Sequence, residues 1–427
     1  MAQKKTIYVD NSVSLNSYEA KQATLRAVGT YCNVWIVDDY YADSATGAKT
    51  TTAVAKKFAD KFDSFYPKIT HIFGNESNNI IYSGYSDDSD SNESILKKAS
   101  NDYPMSQYSD TGDIVNIVLY DIGNDYGKES QCNVLGYFYS KDYFSKIDST
   151  SSVVGYSNQG KYFYIDSYYA NEEPEMTIST LAHEFQHMVN FGVKNIDKGL
   201  NPDTAYNEML SMLCEDMMAQ ELGLSDSKSV KAERLPTFNT SYFLSGICEY
   251  RDDDYAALSY STSYGFGSWL CRQYGGATLV KNIMSNAYID NDSLVAAVNT
   301  VKSTSYTFDD LFQQFLVACT TASGYTHNQN ADRNETYSTY TYPMTAIDLW
   351  GSAYKHGTYL VENQETAAYD KSAKTGPFLF SNAYGVALHP EYGITLHKLG
   401  KTDTTGSLSL TFTDTGADCV TMYVIIE

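Results

Sequence analysis

The run TISTLAHEFQHMVNFG, residues 177–192, decides how the rest of the chain is read. Ile178, Phe185 and Met188 share one side of a helix, and the preceding KYFYIDSYYA, residues 161–170, has the pattern of a strand. His183 and His187 stand one helical turn apart, so their imidazoles project side by side and can reach a single zinc ion at ~2.0–2.1 Å. Glu184, next to the first histidine, is placed to reach a water on that ion rather than the ion itself. Two surface histidines would need only the same letters, but an amphipathic helix behind a β-like run favours metal binding.

A zinc ion that keeps an open position takes three protein ligands, so a third is needed. A histidine six residues after His187, with glycine three residues after it, would be one source, but those positions hold Val193 and Asn190. The next stretch, NPDTAYNEMLSMLCEDMMAQELG, residues 201–223, is the other. Asp203 reads as the N-cap after Pro202, and Met209, Met212, Leu213 and Met217 as packing residues; Glu208, in the second turn, is the expected third ligand. Glu215 and Asp216 are its rivals on the same helix. Glu215, two turns beyond Glu208, is suited to accept an imidazole N–H, and Asn207 is expected in the same outer layer. A solvated helix surface accounts for both rivals equally well.

Around this centre, residues 1–170 read as mixed α and β. The β-rich runs are 33–41 and 113–122, and Val54, Phe58, Phe62 and Phe65 recur at helical spacing. Residues 171–335 turn helical, with amphipathic runs at 175–191, 203–222, 263–274, 277–286 and 308–322. From 336 to 427, short runs such as GTYLVEN, GPFLFSN and VTMYVII alternate with glycine and turn residues, the pattern of a β-sandwich-like module. The expected class is α+β with an all-β C-terminal domain. Residues 83–94, SGYSDDSDSNES, offer Asp87, Asp88 and Asp90 to calcium, but they lack the ligand order of an EF-hand and fit a solvated loop better.

Composition narrows the partners. With 52 acidic residues against 30 basic ones and a formal charge of −22, the chain is unsuited to a phosphate backbone, which excludes nucleic acid. No apolar run approaches the ~18 residues that would cross a bilayer, so no membrane span is expected. Seven cysteines spread singly give neither a zinc ribbon nor a disulfide framework, and several in apolar company read as buried thiols. The opening MAQKKTIYVDNS has no apolar core behind its lysines and reads as lacking a signal peptide. The 39 tyrosines and scarcity of lysine read as an exported bacterial protein, secreted or at the cell surface, whose signal has been removed.

The runs HEFQHMVNF and NEMLSMLCEDM resemble the gluzincin peptidases, the thermolysin-like zinc proteases, and among them most closely the hyicolysin family of secreted bacterial metallopeptidases. The specific likeness covers residues 178–220, with a looser one to Tyr274. It implies a zincin catalytic domain: a twisted sheet over the active-site helix, then a helical subdomain closing the cleft. It implies His183, His187 and Glu208 as zinc ligands and Glu184 as the base in peptide-bond hydrolysis. A tyrosine downstream would serve the oxyanion. Tyr264 is expected in that role, because YGFG resembles the tyrosine-x-x-glycine segment that opens a helix in several gluzincins, and Tyr260 is next. Thermolysin-like enzymes carry an acidic residue four positions after the glutamate ligand, where this chain has Met212. The 161–169 run is the expected edge strand for an extended polypeptide, with Tyr164, Asp166 and Tyr168 shaping the cleft. Endopeptidase and aminopeptidase stay open, and the opposing expectation is a surface adhesin with a vestigial site whose β module binds a surface or another protein.

Overall fold

The computed structural model describes residues 3–81, 104–107, 109–146, 153–251, 255–320, 333–361, 367–381 and 391–398. Asp87, Asp88 and Asp90 lie outside these, as do residues 399–427. The N-terminal part forms a six-stranded sheet from β1 (Lys4–Asp10), β2 (Tyr18–Val28), β3 (Cys32–Val37), β4 (Val115–Tyr120), β5 (Gly136–Phe138) and β6 (Lys161–Asp166), in the order β1-β2-β3-β4-β6-β5. Strands β3, β4 and β6 run parallel, and β1, β2 and β5 pair antiparallel.

Side chains alternate across this sheet, as the two-residue repeat of a strand requires. Cys32, Val34, Ile36, Val115, Ile117, Leu119, Phe163 and Ile165 join the main core, which includes helix α1 (Thr52–Phe73). Trp35, Val37, Val118, Tyr120, Tyr162 and Tyr164 face the other way, into a second cluster with Ile7, Val9 and Ala23. The β-branched and aromatic runs at 33–41 and 113–122 thus become central strands buried on both faces. Strands β1 and β2 carry no comparable apolar run, and their pairing in the sheet is a tertiary fact.

One expectation is overturned here. Strand β6 is interior: β4 pairs with one side and β5 with the other, and all six of its residues are buried. The edge on this side of the sheet is β5, only three residues long. Tyr168 leaves the strand altogether and lies in the short helix α2 (Ser167–Glu172), whose N-cap is Asp166.

The metal-motif helix α3 (Pro174–Asn190) follows, opened by Pro174 in its first turn. Ile178, Leu181, Ala182, Phe185, Met188 and Val189 form its buried stripe. Phe62 of α1 bridges helix and sheet, its ring 4.9 Å from that of Phe185 and 6.1 Å from that of Phe163. Helices α4 (Thr204–Leu222), α5 (Val230–Ser241), α6 (Ala256–Tyr274), α7 (Gly276–Ser285), α8 (Asp290–Lys302) and α9 (Phe308–Thr320) complete the helical part. Asp203 stands at the N-cap of α4 as expected, but its side chain accepts no capping hydrogen bond. The glycines of YGFG do not open a helix, since α6 begins at Ala256. They let α6 approach its neighbours, because a Cβ at Gly267 would stand 2.5 Å from Met209 of α4 and one at Gly265 2.7 Å from Phe238 of α5.

The described part of 336–427 contains the hairpins β7 (Arg333–Tyr337)–β8 (Tyr340–Met344) and β9 (His356–Val361)–β10 (Ala367–Lys374). Tyr342, Met344, Ile347, Leu349, Tyr354, Ile394 and Leu396 bury themselves in the main core. Tyr342 donates to the Lys68 carbonyl of α1, and Asn239 of α5 donates to the carbonyls of Leu349 and Tyr354. These described residues therefore share the core of the helical part.

After α3 the chain widens into a π-helical turn, Phe191–Ile196, which turns Lys194 inward. Its fully buried ammonium donates to the carbonyls of Ile283 and Tyr288, at 2.7 Å each, and at 3.2 Å to the carbonyl and side-chain oxygens of Asn286. Replacing it removes the side-chain donor to the Asn286 and Tyr288 carbonyls, whereas the Ile283 carbonyl and Asn286 Oδ1 keep the Ser293 hydroxyl. Lys194→Met is expected to cost about 3 kcal/mol of unfolding free energy, read as a lower urea midpoint at unchanged slope; a loss within experimental error would show that the ammonium does not clamp α7.

Candidate metal centre

Helix α4 crosses α3 so that one stripe of α4, Glu208, Ser211 and Glu215, meets the two histidines. Glu208 Oε2 lies 3.1 Å from His183 Nε2 and 3.5 Å from His187 Nε2. Ligand atoms of these three residues all fall within 4.8 Å of one another. The two shorter separations are close to the ~3.4 Å that bonds of ~2.0–2.1 Å to a tetrahedral ion produce. Behind the histidines, the other ring nitrogens are engaged: His183 Nδ1 is 2.8 Å from Glu215 Oε1, and His187 Nδ1 is 3.1 Å from Ser211 Oγ. Glu215 is held in turn by Ser179, whose hydroxyl donates to Oε2 at 2.5 Å. With each Nδ1 bonded behind, both Nε2 atoms are turned toward Glu208. Two imidazoles and a carboxylate fit a cation of borderline softness such as zinc.

The electrostatics agree with that geometry. Burial disfavours the His183 imidazolium, but hydrogen bonds to Glu208 and Glu215, together with their charges, hold its pKa well above the ordinary value. Glu208 is held well below the usual carboxylate range despite its burial, by the charge of His187 and hydrogen bonds to both histidines. These are two views of one attraction: the carboxylate draws positive charge to the point where the Nε2 atoms converge. Glu184 is buried beside them, its Oε2 accepting the Phe138 N–H at 2.7 Å. Burial raises its pKa, while His183, His187 and the Phe138 amide oppose the rise.

Other expected residues fall elsewhere. Tyr264, fully buried in the third turn of α6, donates to Asp216 Oδ2 at 2.9 Å; Asp216 is also paired with Arg272 at 2.8 Å. This corrects the expectation for Tyr264, whose hydroxyl braces α4 against α6, and it removes Asp216 as a rival ligand. One turn earlier, Tyr260 lies within electrostatic reach of Glu208 and Glu184. Burial, the charges of Glu208 and Glu184, and a hydrogen bond to Tyr250 push its hydroxyl far above the usual range, so it keeps its proton. The Arg234 guanidinium lies 5.1 Å from its ring centroid.

Asn207 does not meet a histidine; its side-chain oxygen accepts from Asn190, joining α4 to the end of α3. Tyr164 points to the far face of the sheet, where its hydroxyl donates to Asp142 at 2.6 Å, and Asp166 accepts the backbone N–H groups of Ile122 and Tyr169. Residues 161–169 therefore do not form the expected edge strand: Tyr164 and Asp166 lie on an interior strand and Tyr168 lies in α2. Sequence reading missed Ser211 and the Phe138 amide. Ser211 had a signal, lying three residues after Glu208 on the same helical face, whereas β5 had none.

The sequence profile of the peptidase M30 family matches residues 99–365, which span every residue of this centre. The chain belongs to the peptidase M30 family. It is 24% identical over 322 residues to the neutral metalloprotease ShpI of Staphylococcus hyicus, a match covering 71% of this chain and 59% of that protein. The likeness to the hyicolysin family is thereby borne out. None of the described cysteines is in a disulfide, four of them are buried, and no described helix is long and apolar enough to cross a membrane.

Direct and outer-layer roles on α4 separate by magnitude. Glu208→Ala should abolish measurable zinc binding, while Glu215→Ala should weaken it by about 10–100-fold. Zinc titration of the metal-free protein against a chromophoric chelator reads both, and the reverse ranking would move the ligand to Glu215.

Proposed function

We propose that this chain is a zinc metallopeptidase of the gluzincin type, acting as a secreted endopeptidase on extended polypeptides. The observation that carries the reading is the convergence of His183 Nε2, His187 Nε2 and Glu208 Oε2 beside a buried glutamate that belongs to none of those contacts. A zinc ion held there supplies Lewis acidity to the scissile carbonyl and an acidified water.

The chain's own residues do the rest. Glu184 accepts the proton of the attacking water on the oxygen that Phe138 does not use, then passes it to the leaving amine. Tyr260, keeping its proton, donates a hydrogen bond from its hydroxyl to the oxyanion, in the role first expected of Tyr264. An extended peptide adds to the outer edge of β5, the sheet edge whose Phe138 N–H already points at Glu184. The scissile bond is thereby carried past the base, and an open edge of this kind accommodates an internal segment of a chain. No second reading is favoured by a particular contact.

Glu184→Gln should keep zinc and fold while digestion of unfolded casein falls by at least ~100-fold. Equal cleavage by this variant, or no chelator-sensitive cleavage by the wild type, would refute the proposal. The tyrosines give an independent check. Tyr260→Phe should lower kcat by ~100-fold or more. Tyr264→Phe should lose about 1 kcal/mol of stability with turnover changed by no more than a few-fold; the opposite pattern would return the oxyanion role to Tyr264.

A further inference from the structure

The two histidines are backed differently, and the difference lies in this chain's own side chains. Behind His183 stands a carboxylate, Glu215. Behind His187 stands Ser211, fully buried, whose hydroxyl lies 3.1 Å from Nδ1 and donates to Gln186 Oε1 at 2.6 Å. Gln186 is itself fully buried on α3, adjacent to His187 in sequence, and its Nε2 has no partner among the described residues. The position four residues after Glu208, where the resemblance leads one to expect an acidic group, is the buried Met212.

We infer that Gln186 and Ser211 form a neutral relay that sets the tautomer of His187 and so aims its Nε2 lone pair at the metal. The inference rests on the zinc reading above. A side-chain carbonyl can only accept, so Gln186 Oε1 captures the single proton of Ser211. Ser211 Oγ is then left only its lone pairs for the imidazole, and His187 must donate from Nδ1. Its Nε2 is thereby unprotonated and points toward Glu208 Oε2. Turning the Gln186 amide over would reverse every donor: its N–H would bond Ser211, the hydroxyl would donate to Nδ1, and the His187 proton would sit on Nε2, where it would block a cation. Metal binding therefore selects the orientation in which the Gln186 carbonyl faces Ser211.

A neutral relay also suits the charge of the site. Glu208, Glu215 and Glu184 already bring three carboxylates to one partly buried centre, more negative charge than one divalent ion neutralises. A fourth behind His187 would add like-charge repulsion at low dielectric. Ser211 and Gln186 supply the orientation without the charge.

The test is zinc affinity of the metal-free protein by chelator competition, with the visible spectrum of the cobalt-loaded form as a second readout. Ser211→Ala should weaken zinc by about 10–100-fold and alter the cobalt bands. Gln186→Met should weaken it comparably although Ser211 is intact, because the freed hydroxyl proton turns to His187 Nδ1. The double variant should bind no worse than the weaker single one, since both changes break one relay. Gln186→Glu, which keeps an acceptor facing Ser211, should bind at least as tightly as Gln186→Met. Ser211→Cys, nearly isosteric and a poor acceptor, carries the test if the alanine variant does not fold. Wild-type affinity in both Ser211→Ala and Gln186→Met, with His187→Ala losing the metal, would overturn the relay and leave the zinc site standing. A wild type that binds no zinc would overturn both.

Discussion

The register between α3 and α4 is the constraint on which the centre depends. Ser179, His183 and His187 on one helix must meet Glu208, Ser211 and Glu215 on the other, every contact falling on the same short stripe. Displacing α4 by a single residue would rotate its stripe by about 100° and turn Glu208, Ser211 and Glu215 away from the imidazoles. The packing that prevents such a slip is apolar: Phe185, Met188, Leu210 and Leu213 lie in one continuous core with the sheet-facing side of α1.

Polar ties then brace that core at points where a shift would be costly. Asp216, on the side of α4 away from the histidines, is held by Arg272 and Tyr264 of α6. Asn207 and Asn190 join the start of α4 to the end of α3, and Lys194 anchors the turn that follows to the end of α7. In each case buried charged or amide groups find partners across elements distant in sequence. Removing one partner costs more than the bond itself contributes, because the other is left buried and unpaired. Such ties keep neighbouring helices in one arrangement rather than adding greatly to net stability.

The sheet contributes position as much as core. Its parallel centre places β6 beside β5, and β5 brings the Phe138 amide to Glu184. The small size of Gly136 is required there, since a Cβ would stand 2.8 Å from the Tyr164 carbonyl and from the side chains of Ile165 and Thr180. Edge strand and metal-motif helix are thus packed against each other closely enough for a backbone N–H to hold the carboxylate. The described residues after Tyr337 extend this assembly by burying Tyr342, Met344 and Leu349 against it.

Local pattern alone determined much of this. His183, Glu184 and His187 on one helix, Glu208 and Glu215 two turns apart on the next, and the central strands at 33–41 and 113–122 all follow from the 3.6- and two-residue periods, which act within a single element. Where the reading failed, the deciding contact lay between elements. Whether 161–166 is an edge or an interior strand depends on the three residues 136–138, too short to carry a pattern. That the Tyr264 hydroxyl meets Asp216 depends on how α6 lies against α4, where Gly267 allows close contact with Met209. Asn207 finds Asn190 rather than an imidazole for the same reason. Periodicity tells which face of a helix is apolar, but it cannot tell which neighbour that face will meet, because the choice is made by the shape and volume of side chains far apart in the chain.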